Sequence, residues 1–137
     1  MRLIKAGEGS VHQPPLPNAP VVTVVVGGDD GSTDIGFIRI RVAAGAAMVP
    51  HRHNGSDIVL TSLAGAVRIS KGTESYDVGV GDTIFIGKDE EVGLANVGEE
   101  AAELIVAAGP AKFVNVVAQW PEPRTTIAAS GGPGARP

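Results

Sequence analysis

The sequence predicts an all-β domain, a sandwich or barrel of short strands. Three observations carry this. The chain has 19 Gly and 10 Pro in 137 residues. Its apolar runs are short, and none sustains a helical period. Turn signals recur at roughly one per ten residues, the rhythm of a sandwich or barrel. The length fits one domain able to bury a core.

Residues 12 to 20, His-Gln-Pro-Pro-Leu-Pro-Asn-Ala-Pro, exclude regular helix and central strand, because proline fixes φ and lacks a donor. Residues 1–20 are therefore expected to form an extended N-terminal arm. Val21 to Val26 is a β-branched run ended by Gly27-Gly28-Asp29-Asp30-Gly31. Ile35 to Val42 alternates, with Ile38, Ile40 and Val42 on one face and Phe37, Arg39 and Arg41 on the other. The apolar face is expected inward and the arginines in solvent; the opposite arrangement would offer Arg39 and Arg41 to an anionic ligand. Gly45 breaks the chain before Pro50-His51-Arg52-His53, and Asn54-Gly55 is a strong turn signal after it. Strands are expected at Asp57 to Leu63, Ala66 to Ser70, Ser75 to Val78, Thr83 to Ile86, Val92 to Ala95, Ala102 to Ala107 and Lys112 to Val117. Thr61, Ser62 and Tyr76 are polar groups that a cavity or the surface would accept equally. Asp89-Glu90-Glu91 reads as a solvated loop. The barrel domain is thus assigned to residues 21–120. Trp120, at its boundary, reads as a packing residue or an anchor for the terminus. Residues 121–137, rich in Pro and Gly, are expected to be a flexible tail.

Composition narrows the function classes. The net charge is -4, there is no basic stripe, and five aromatic residues are available. No nucleic-acid partner is expected. No apolar stretch approaches a membrane span, so no membrane partner is expected. The absence of cysteine removes disulfides, thiolate metal sites and thiol nucleophiles. It fits a reducing compartment, and the short polar start Met1-Arg2-Leu3-Ile4-Lys5 does not read as a signal peptide. A cytoplasmic location is the expectation.

The histidines carry the chemistry. Only three occur, and His51 and His53 are one residue apart. On an extended strand they project to the same side, as a grip on a metal ion or as a paired acid/base site. The segment from Gly45 through His51 and His53 to Gly65 resembles the first motif of the cupin superfamily: glycine, a spacer, His-x-His, glutamate, glycine. Gly81-Asp82-Thr83-Ile84-Phe85-Ile86 is similar to the opening of its second motif, and Asn96 stands where that motif closes. The resemblance implies a double-stranded β-helix or jelly-roll barrel, a small-molecule ligand inside it and a homodimer.

It also implies a metal site, and there two departures enter. The family's glutamate falls on Ile58 when counted back from Gly65, and on Asp57 when counted forward from His53 with a shorter spacer. The second motif's histidine falls on Val92. The candidate set is then His51, His53 and Asp57, with Glu91 as an alternative for the position lost at Val92. His12, in the proline-rich arm, is a poor place for a rigid ligand. Two histidines and a carboxylate would suit Fe, Mn, Ni or Zn. The expected function is a small cupin that binds a divalent metal through the His-x-His pair and acts on a small organic substrate, with His51 and His53 as catalytic groups. The alternative is a metal-free small-molecule binder or accessory protein.

Overall fold

A computed structural model describes residues 1–123, so the expected tail lies almost wholly outside the described residues. Among the described residues, ten strands form two antiparallel sheets. In chain order they are β1 (Ser10–His12), β2 (Val21–Val26), β3 (Gly36–Val42), β4 (Ala47–His51), β5 (Asp57–Ala64), β6 (Val67–Lys71), β7 (Glu74–Val78), β8 (Thr83–Ile86), β9 (Val92–Ala95) and β10 (Ala102–Gly109). One sheet runs β1-β2-β3-β10-β5-β8 and the other β4-β9-β6-β7. Both contribute to one core, which includes Ile38, Val42, Ile58, Leu60, Leu104 and Val106 from the first and Val67, Ile69, Val78, Val92 and Leu94 from the second. This is the expected double-stranded β-helix barrel.

Alternation places the side chains. Ile38 and Val42 are buried and Ile40 is partly buried, whereas Arg39 and Arg41 are exposed on the outer face. Arg41 pairs there with Glu103 at 2.8 Å, so neither arginine faces the interior. Pro50 interrupts β4, tolerable because β4 is an edge strand and its pairing with β9 shifts register between Met48 and His51.

The family-like glycines and Asn96 are explained by the backbone. Gly65 has φ +67°, and a Cβ there would lie 2.7 Å from the Ala101 carbonyl oxygen. Asn96 is buried; its amide donates to the carbonyls of Val42 (3.0 Å) and Glu100 (2.7 Å), and its Oδ1 accepts from Gly98 N (2.9 Å). It closes the turn between the sheets and takes no part in a ligand set.

Two segments differ from expectation. The arm contributes β1, which pairs with β2 as an edge strand. Lys112–Val117 is a helix, α1, not a strand. Its buried residues Phe113, Val114 and Val117 fall on one helical face as well as in a β-branched run, and the tertiary site selects the helix. Ser56 fastens α1 to the barrel. It is fully buried; its Oγ donates to the Pro110 carbonyl (2.6 Å) and accepts from Phe113 N (3.1 Å).

Replacing Ser56 by Ala leaves both backbone groups unpartnered in the interior. Ser56→Ala is expected to destabilise the fold by about 2 kcal/mol, read as a lower urea midpoint at unchanged slope.

Candidate functional site

The histidine segment starts on β4 and ends in the turn that leads to β5. Asn54 and Gly55 both take positive φ (55° and 82°), and Ser56 N donates to the His53 carbonyl at 3.0 Å. Two successive left-handed residues make the tight turn that Asn-Gly favours. The turn brings His53 under the barrel wall beside His51. The two rings meet edge to face, centroids 4.8 Å apart and planes at 63°. Phe113 of α1 packs edge-on against the other side of His53, also at 4.8 Å.

The two imidazoles have different environments. His51 is partly buried, and its Nδ1 lies 2.8 Å from the Val49 carbonyl oxygen. A carbonyl only accepts, so Nδ1 carries the proton and Nε2 is left as the acceptor in the neutral ring. His53 is 5% exposed, and its buried Nδ1 has no hydrogen-bond partner among the described residues. Burial first, and the neighbouring His51 second, push the His53 pKa down from 6.5 to about 4. His53 is therefore neutral at pH 7.

Both histidines line a small cavity of about 50 Å³ between the sheets. Its barrel walls include Ile38, Ile58, Leu60, Val92 and Val106, and it is closed by segments outside the sheets: Pro14 and Pro20 from the arm, Phe113 and Val117 from α1, and Trp120. Arm and C-terminal segment are tied together there. Gln13 N donates to the Pro121 carbonyl (2.8 Å), and His12 Nδ1 donates to the Trp120 carbonyl (2.8 Å). His12 thus holds the closure and stands apart from the other histidines.

The structure brings His51 and His53 together and leaves Asp57 out. On β5 the inward residue is Ile58, 1% exposed and lining the cavity. Its neighbour Asp57 belongs to the opposite face, where Oδ1 accepts from Lys88 N at 3.1 Å. Val92 is paired with His51 across the sheet and also lines the cavity, whereas Glu91 beside it is exposed. The third and fourth ligand positions are therefore occupied by apolar side chains. No group of three or more His, Asp or Glu residues suited to a metal occurs among the described residues. A catalytic transition-metal site takes three protein ligands. Two imidazoles in an apolar cavity, with no carboxylate to offset a dication, do not fit one.

The other polar candidates also serve the scaffold. Ser62 Oγ donates to the Gly65 carbonyl (2.7 Å), Thr61 and Thr83 share a hydroxyl hydrogen bond (2.7 Å), and the exposed Tyr76 donates to Glu74 (3.1 Å). The sequence reading missed Phe113, which packs on His53, and assigned no cavity role to Trp120. A single tryptophan next to a proline-rich segment was the available signal, and it does not distinguish a cavity wall from ordinary packing.

These features define a class: a double-stranded β-helix barrel with a small, nearly apolar chamber and a histidine pair at one corner. The chain belongs to the cupin family, whose domain model matches residues 38–108. No curated protein matches it. Solved structures similar to it include a Thermus thermophilus protein at 25% identity (TM-score 0.60), covering 69% of this chain and 87% of that one. The polyketide cyclase RemF from Streptomyces resistomycificus is similar at 18% identity (TM-score 0.68), covering 80% and 79%. A predicted oxalate decarboxylase from Thermotoga maritima is similar at 14% identity (TM-score 0.66), covering 80% and 99%. These last two likenesses concern the fold alone. No helix among the described residues is long and apolar enough to cross a membrane.

The low pKa of His53 has a consequence for stability. The unfolded chain takes up a proton near pH 6.5, whereas the folded one resists until about pH 4. Stability from this group is therefore present above pH 6.5 and is lost as pH falls through that window. At about pH 4.5 the loss relative to about pH 7.5 is expected to be roughly 2 kcal/mol, allowing for partial solvent screening. His53→Leu is expected to remove this component of the slope. Urea unfolding of both proteins at the two pH values checks it; equal slopes would reject the assignment.

Proposed function

We propose that this cupin binds a small organic molecule beside the His51 and His53 pair and works without a metal. The observation that carries the reading is the donor set: His51 and His53 stand together, with Ile58 and Val92 where further ligands would be needed.

The chemistry open to the pair is hydrogen bonding and proton exchange. His51 Nε2 is an acceptor fixed by the bond from Nδ1 to Val49. It takes a proton from a bound O–H or N–H and returns it, as a general base then acid. His53, resistant to protonation, keeps the neighbouring ring from sharing its surroundings with a second positive charge. The apolar walls orient the rest of the molecule by contact.

The discriminating measurement is metal content. Protein purified without chelator, then incubated with Fe(II), Mn(II), Ni(II) or Zn(II) and desalted, is expected to retain far less than one ion per chain. His51→Ala/His53→Ala is expected to retain the same trace. Stoichiometric metal that is lost in the double variant would overturn this reading and establish the His-x-His metal site.

A further inference from the structure

We propose that the cavity selects uncharged, mostly apolar ligands that present a single hydrogen-bond donor, and that it excludes carboxylates. This deepens the proposed function and rests on its histidine-pair reading.

The distribution of positive charge carries the inference. Among the described residues, no lysine or arginine lines the cavity. Arg52, between the two histidines, turns away and donates to the Asp89 carbonyl. Arg41 is paired with Glu103, Arg68 with Asp77 and Lys71 with Glu90, all on the outside. Arg39 is exposed on the outer face of the large sheet. Transferring a carboxylate from water into such a chamber, with no cation and few donors, is strongly unfavourable. An alcohol, phenol or enol loses far less, and its O–H can pair with the imidazole of His51, a cavity-lining ring held by Val49 at Nδ1. The walls contribute little beyond apolar contact.

Size enters through the closure. About 50 Å³ holds only a few ligand atoms, far less than an ordinary small-molecule pocket of several hundred Å³. A larger ligand body has to displace the wall that is not held in a sheet, which includes Trp120. Trp120 is the only tryptophan of the chain. Its emission therefore reports entry into the cavity.

The test titrates full-length protein with cyclopentanol, cyclopentanecarboxylate and methylcyclopentane at about pH 8 and follows Trp120 fluorescence. Cyclopentanol is expected to give a saturable change. Cyclopentanecarboxylate is expected to bind at least about tenfold more weakly. His51→Ala/His53→Ala is expected to weaken cyclopentanol relative to methylcyclopentane about fivefold or more, a ratio in which the larger cavity of the variant cancels. A carboxylate that binds as tightly as the alcohol, with the histidines still required, overturns the ligand class and leaves the histidine site standing. Selectivity for the alcohol that persists unchanged in the double variant overturns the role of the pair and leaves the neutral cavity. No saturation by any of the three overturns both.

Discussion

The two-residue period of β5 is the constraint on which the rest of the site depends. The Asn54-Gly55 turn returns the chain after His53 and sets the phase in which β5 starts. In that phase Ile58 and Leu60 enter the core, and Asp57 lies outside against Lys88. A slip of one residue would put Asp57 beside the histidines and turn Val59, Thr61 and Leu63 inward, but it would expose Ile58 and Leu60 and take the buried Ser62 hydroxyl away from the Gly65 carbonyl. The register is held by the fit of Ile58 and Leu60 in the core and by the ladders to β10 and β8, and the chemistry of the corner follows from it. The same logic fixes β9, where pairing with His51 places Val92 inward and leaves the neighbouring Glu91 exposed.

Charge is sorted by the same alternation. On β3, β6 and β10 the inward positions go to apolar residues and the outward Arg41, Arg68 and Glu103 pair across the surface, whereas β5 and β8 leave Val59, Leu63 and Phe85 exposed. The interior corner is left with imidazoles alone, and a ring that is neutral at pH 7 is the polar group such a place tolerates best. Even so, the His53 nitrogen lies buried without a partner. A local arrangement that lowers stability without an evident structural return is what a binding site looks like when the rest of the sequence is locally consistent.

The fold was legible because its signals are redundant. Gly45, Gly65 and Asn96 act through backbone geometry, which a sequence pattern records directly, and the inward set Ile38, Ile40 and Val42 follows from alternation alone. The site was legible only in part. The juxtaposition of His51 and His53 follows from their spacing, but the choice between Asp57 and Ile58 depended on the phase of one turn, which spacing arguments do not fix. Lys112–Val117 reads equally as a β-branched strand or as a short helix burying Phe113, Val114 and Val117; contact with Ser56 and with the start of β3 decides it. The wall formed by Pro14, Pro20 and Trp120 joins residues about a hundred positions apart, a distance over which a single sequence carries no pairing signal.

That wall also divides the molecule mechanically. The inner strands that carry much of the aliphatic lining are bound on both sides by ladders, whereas His51 stands on the edge strand β4 and His53 in the turn after it. The closure is held by few backbone links, among them Gln13 to Pro121, and by the His12 bond to the Trp120 carbonyl. Segments with few such bonds open at lower free energy than core strands. The arm and the turn around Trp120 are therefore the part of the cavity wall expected to open at the lowest free energy.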